Sequence, residues 1–356
     1  MSESHSNSRL PRRDFLRGAS AVALGSSGLA VGGSGSLAAG APNEGGRATA
    51  AETDSSHGLA PDTAYPKLAI ITPYSRQKLA FATSVGYEGV VIVLDDFFDP
   101  DKLSDSQIDD ILATSRETGA RIISIECMWG TNHIDPDPAT RAKANARFIR
   151  CLELAHRLGC KFCGTFSGGI PGADFERQAK ELAEVVNEKY VPVLDKLEIS
   201  MGWENYPTGE NFATVPAAWE RVFELVPSPR LGLEFDPSHL VRQFIDPYEA
   251  AWRVRDRIRA GHLKDTEIIQ PLLQQVGIHG KGWWRYRIPG QGLIDWPKFI
   301  TVLLQAKFQG GVAVEHEDEF WDTPHTASLP DFPQSRKDGF LLAYRFLSQF
   351  LPGRLS

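Results

Sequence analysis

Glu198-Ile199-Ser200-Met201-Gly202-Trp203-Glu204, followed by the run Pro216 to Val226 and then by Arg230-Leu231-Gly232-Leu233-Glu234-Phe235-Asp236, decides how this chain is read. Two short, largely apolar segments separated by a helix-length amphipathic one form a βαβ unit, since parallel neighbours need a long crossover between them. The alternation continues in both directions. Strand-like runs occur at Lys67 to Thr72, Gly89 to Leu94, Arg121 to Glu126 and Lys161 to Phe166 on one side, and at Ala260 to Lys264 and Gly311 to His316 on the other. Further helix-like runs cover Ser104 to Thr118, Ala139 to Leu158, Phe175 to Leu197, Pro247 to Ile258 and Trp296 to Lys307. Asp137-Pro138, Asp246-Pro247 and Asp295-Trp296-Pro297 supply a side-chain acceptor and a preset φ at helix starts. Eight strands, nearly all followed by a helix, within residues 67–350 predict an α/β chain with a single closed (β/α)8 barrel rather than two domains.

The segment before the barrel reads differently. Arg12-Arg13-Asp14-Phe15-Leu16-Arg17 precedes a mildly apolar, Gly- and Ala-rich stretch and a small-residue region near Ala39-Gly40-Ala41, the layout of a signal peptide of twin-arginine type over residues 1–41. Export to the periplasm or the extracellular side is the expectation. Residues 42–66, poor in large apolar side chains, read as a flexible tether, so the barrel follows a disordered signal and tether segment. No later run is apolar and long enough to span a bilayer, and no Cys precedes Cys127, so no membrane anchor is expected. The chain carries a net charge of -7, and the first 41 residues contribute +2 of it, leaving -9 on the remainder. An acidic body argues against a nucleic-acid partner. Four cysteines are too few for a disulfide framework, and Cys160 and Cys163, three apart on a strand-like run, would point to opposite faces; buried structural thiols are expected.

In a barrel of this kind the reactive groups sit where strands end. Four consecutive strand ends carry metal-binding residue types: Gly202-Trp203-Glu204-Asn205, Phe235-Asp236-Pro237-Ser238-His239, Gly261-His262-Leu263-Lys264-Asp265 and Val314-Glu315-His316-Glu317-Asp318. Adjacent strands lie about 4.8 Å apart, so side chains from four of them can converge on one ion. Three carboxylates and one imidazole suit a divalent metal, Mn²⁺ first, then Co²⁺, Mg²⁺ or Zn²⁺. Taken singly, such a carboxylate caps a helix or pairs with an Arg; four together favour a site. The roughly thirty residues between His262 and Asp295 break the rhythm, and connections of that length are usually functional.

The succession W-E-N, D-P-S-H, H-L-K-D, P-G-Q-G-x-I-D-W and V-E-H-E-D resembles the xylose isomerase-like TIM-barrel superfamily of sugar phosphate isomerases and epimerases, over about Pro66 to Phe350. The resemblance implies Glu204, Asp236, His262 and Glu315 as metal ligands and His239 as a contact to substrate oxygens. Glu204 and Glu315 would also be the catalytic acid and base. Lys264 joins the substrate-binding candidates because it shares a strand face with His262. Glu126 is either a further acid in the cavity or part of a structural salt bridge. Trp283, with Trp284 and Tyr286, is either ordinary packing or a platform for a sugar ring. Arg285 and Arg287 either hold an anionic substrate group or pin the loop.

The function implied is a metal-dependent isomerase or epimerase acting beside the carbonyl of a sugar, unphosphorylated if the chain is exported. Two alternatives stand beside it: a lyase performing β-elimination on 3-keto glycosides, and a non-catalytic sugar-binding envelope protein. A homo-oligomer and a partner oxidoreductase supplying a keto sugar are both compatible with the sequence.

Overall fold

The computed structural model describes residues 66–322 and 324–351; the expected signal segment and all of the expected tether except Pro66 lie outside the described residues. Seven strands come first: β1 (Lys67–Pro73), β2 (Gly89–Val93), β3 (Arg121–Cys127), β4 (Phe162–Thr165), β5 (Ser200–Glu204), β6 (Leu231–Phe235) and β7 (Ile258–Leu263). Then come a short pair, β8 (Asp265–Ile268) and β9 (Trp284–Arg287), and finally β10 (Gly311–Val314). β1 to β7 and β10 close into one barrel in which every pairing is parallel, with β10 bridging β7 and β1. All eight expected strands are therefore present. The family of expected helices is present too, with Ser104 and Gln107 forming a reciprocal capping box and Asp137, Asp246 and Asp295 each accepting a first-turn N–H.

Several elements differ from the sequence reading: helices also form at Arg76–Val85 and Gln334–Leu347, and the helix expected from Pro247 to Ile258 ends at Arg253. The helix expected from Phe175 to Leu197 carries a π turn at Val186–Tyr190. The long connection after His262 is not structureless: β8 and β9 pair antiparallel into a ribbon, with the helix Gln270–Val276 at its far end. A one-turn helix, Pro237–Val241, starts directly at the end of β6 with Asp236 as its N-cap.

Side chains alternate between two layers. Phe148, Trp203, Trp219, Phe235 and Phe299 fill the space between strands and helices, while Ala69, Ile71, Val91 and Ala313 form a separate small cluster on the inner faces of β1, β2 and β10. On the β4 to β6 side the registered inner positions Gly164, Gly202 and Gly232 carry no side chain. Gly164 has a specific reason: a Cβ there would collide with Glu234 Oε2. The barrel interior is thus apolar and filled on one side, and hollowed for a carboxylate on the other.

Candidate metal centre

Alternation along the strands delivers the four expected ligands to one point. Glu204 ends β5, Asp236 follows β6, His262 is the penultimate residue of β7 and Glu315 follows β10. One ligand atom from each lies within 4.8 Å of every other. Asp236 serves two ends at once: Oδ1 accepts the Ser238 N–H at 2.7 Å as a helix cap, while Oδ2 is buried and makes no hydrogen bond. His239 Nε2 and Lys264 Nζ stand 3.2 and 3.3 Å from that second oxygen. A buried anionic oxygen without a hydrogen bond is costly unless a cation completes it. Asn205 fixes the position, accepting from Asp236 N and donating to Asp236 O, both at 2.8 Å. Three carboxylates, one imidazole and the orphaned oxygen fit a divalent ion held by Glu204, Asp236, His262 and Glu315.

His262 faces two groups of acids. Its Nδ1 lies 3.0 Å from Glu204 Oε1 and 3.2 Å from Glu315 Oε2; its Nε2 lies 3.1 Å from Glu126 Oε1 and 3.3 Å from Glu234 Oε1. Burial opposes a charged imidazole here, but the facing Glu204, Glu234 and Glu126 outweigh it and hold the pKa well above the ordinary value. For Glu204, burial works upward and the two histidines more than reverse it, keeping the carboxylate ionised. For Glu234 the nearby imidazole is not enough: burial, then the charge of Glu126, pushes its carboxyl up to about 8. Glu126 is raised as well, again chiefly by burial. Glu126 therefore stands behind the imidazole, deep in the barrel, and Glu234, which the sequence reading did not single out, stands beside it.

Around the ligands sits a second ring of polar groups. His239 places Nε2 2.9 Å from Glu204 Oε1 and Nδ1 2.8 Å from the Tyr286 hydroxyl. Lys264 donates to Glu315 Oε2 at 2.6 Å and Glu317 Oε2 at 2.9 Å, with its ammonium 4.3 Å from the centre of the Tyr286 ring. Burial penalises that ammonium, yet Glu315, Glu317 and Asp236 keep it protonated. Tyr286 comes from β9, so the ribbon reaches back over the barrel mouth. A continuous arc of rings runs along that mouth, each in contact with the next: Trp129, Phe166, Tyr206, His239, Tyr286 and Trp284.

The remaining candidates lie away from the ion position. Trp283 is buried, stacked on Phe244, with its indole N–H donating to Ile278 O at 3.2 Å. Arg287 pairs with Glu267 and Asp318, and Arg285 with Glu267, so both guanidinium groups pin the ribbon. Asp265 explains the P-G-Q-G-x-I-D-W run: its carboxylate accepts from Thr266 N, Gly290 N, Ile294 N and the Trp296 indole N–H, at 2.9 to 3.1 Å. Gly292 is required there because a Cβ would strike the same carboxylate. His316 points outward against Phe340, as alternation with Glu315 demands, and burial with nearby Arg336 lowers its pKa to about 4. All four cysteines are free and buried.

The fold is a closed parallel barrel whose C-terminal mouth carries a carboxylate and imidazole cluster able to hold a metal ion. Residues 79–334 match the family model for the xylose isomerase-like TIM barrel, and the chain belongs to that family. It is 23% identical to the inosose dehydratase of Geobacillus kaustophilus over 187 residues, spanning 48% of this chain and 61% of that enzyme's length, which is less than two thirds of it. The fold is similar to that of the D-allulose 3-epimerase of Methylomonas sp., with a TM-score of 0.62 at 16% identity over 81% of this chain and 98% of that one. It is also similar to the 3-keto-D-glucoside 4-epimerase of E. coli, with a TM-score of 0.59 at 16% identity over 79% of this chain and 99% of that one. At these identities the solved structures attest the shared barrel.

Proposed function

We propose that the protein is a divalent-metal-dependent isomerase or epimerase of an unphosphorylated sugar or sugar derivative, with Mn²⁺ the best match to its donors. The observation that carries this reading is the convergence of Glu204 and Glu315 on the same nitrogen, His262 Nδ1, at 3.0 and 3.2 Å. Two carboxylates that meet at one point from β5 and β10 can face one substrate carbon from two sides. When bound, the ion would lower the cost of negative charge on the carbonyl oxygen as the neighbouring proton leaves.

The chain's own groups have distinct tasks in this scheme. Glu204 accepts the proton, and Glu315, recharged by the ammonium proton of Lys264 that it already accepts as a hydrogen bond, returns one to the opposite face, giving epimerisation; return to the adjacent carbon gives isomerisation. Glu126 takes the Nε2–H of His262 and leaves Nδ1 as the free lone pair. Lys264 neutralises Glu315 and Glu317, and Tyr286 fixes the His239 ring against substrate oxygens. The arc of aromatic rings offers apolar faces to a sugar ring. Arg285 and Arg287 are committed to carboxylates, which supports an uncharged rather than a phosphorylated substrate. An exported site of action, read from Arg12-Arg13 and the stretch after it, agrees with that preference.

Solvent-deuterium exchange at the substrate α-carbon tests the assignment. E204Q and E315Q should each abolish exchange, a loss of at least about a thousandfold, with the fold retained. Full exchange in either variant rejects it. A lyase acting on 3-keto glycosides is the second reading, favoured by the dehydratase relative and by the aromatic arc, which could seat an aglycone. Release of aglycone from a 3-keto glucoside, without epimer formation, decides for the lyase.

A further inference from the structure

The opposite, N-terminal mouth of the barrel holds a cavity that the proposed reaction does not use. It encloses about 470 Å³ and is bordered by the first residues of several strands. Six cations line it: Lys67, Arg121, Lys161, Arg255, Arg259 and Lys307. Among the described residues that line it, Asp256 is the one carboxylate. Such a concentration stands out in a chain whose net charge is -7. The guanidinium of Arg259 is hydrogen-bonded to backbone carbonyls of Pro229, Asp256 and Ile258, and that of Arg255 to Trp252 O, so neutral dipoles hold these side chains in place without cancelling their charge. Burial, then the like charge of Arg257, lowers the pKa of Arg259, the direction expected where cations crowd.

A second, independent observation marks the roof. Ser124, on the inner face of β3, is 1% exposed, lines the cavity, and its hydroxyl has no hydrogen-bond partner. A buried hydroxyl left without a partner costs free energy that a ligand oxygen at that point would recover. The volume lies in the range of small-molecule sites.

We propose that this cavity binds a small, multiply charged oxyanion, whose oxygens meet the cations at the rim and the Ser124 hydroxyl at the roof. Phosphate and polycarboxylate compounds share this chemistry. The test is isothermal titration of the full chain, loaded with metal, at fixed ionic strength, with inorganic phosphate in one arm and tricarballylate in the other. Saturable binding in either arm is expected, and the arm that binds names the source. The variant K161Q/K307Q, altered at two exposed lysines away from the metal centre, should weaken that binding about tenfold while metal content and circular dichroism stay unchanged. Absence of saturable binding in both arms, or equal affinity in the double variant, overturns the proposal.

Discussion

The two mouths of the barrel are built from the same strands and carry opposite charge. At the C-terminal mouth Glu204, Asp236, Glu315 and Glu317 converge, with Glu126 and Glu234 beneath them, against Lys264 and the imidazole of His262. At the N-terminal mouth six cations and Asp256 line one cavity. The difference lies in how each charge is held. The acids gather around Lys264 and His262, and Asp236 Oδ2 is left with ion-pair distances but no hydrogen bond. Arg255 and Arg259 rest on backbone carbonyls, an arrangement that is complete as hydrogen bonding and open only as charge. Fixed charge gathered at a strand end can thus be a coordination site or an electrostatic one, and the partners of each atom tell which.

The contrast is broken most severely at Asp236. D236N keeps a capping oxygen for Ser238 N but removes the anionic ligand, and metal affinity should fall by about a thousandfold or more, measured by competition with a chelating dye. Next comes Glu126, which reaches the proposed ion position only through His262: E126Q should weaken metal binding by about ten- to a hundredfold, with the same readout. Gly164 tests the hollow beneath the centre. G164A forces the Glu234 carboxylate aside and should cost about 1–3 kcal/mol in chemical denaturation.

The smallest effect is a slope in pH. Burial pushes Glu234 up to about 8 in the folded chain, above its range in the unfolded one. Between the two values the folded state holds a proton that the unfolded state has lost, so stability falls as pH rises. The contribution is fully present below the unfolded pKa and gone once pH passes about 8. Thermal melts of chelated protein from about pH 5 to about pH 9 should decline, and E234Q should flatten the decline; an unchanged slope in that variant would assign it to another group.

Much of this was legible in the sequence, for a physical reason. Strand ends combine a period of two with a break in apolarity, so the sequence alone sets Glu204, Asp236, His262 and Glu315 on one rim. Glu234 has the same period of two, two residues before Asp236 on the same face of β6, but lies inside the apolar run rather than at its end. Pro237–Val241 was hidden because Asp236 closes a strand and caps a helix at once. The ribbon was illegible: only pairing of Asp265–Ile268 with Trp284–Arg287, across a stretch of unremarkable composition, brings Tyr286 to His239. The basic mouth could not be read either, since its residues meet only when the barrel closes.

Asp265 ties the base of the ribbon into the barrel through four hydrogen bonds, whereas the far end, with Val276 and Ile278, is exposed to solvent. Anchor and tip are therefore separable parts. Insertions or exchanges between Gln270 and Gly282 could reshape what passes over the mouth while the hydroxyl of Tyr286 stays where it is, so this segment is where a lineage could change its choice of substrate without rebuilding the chemistry.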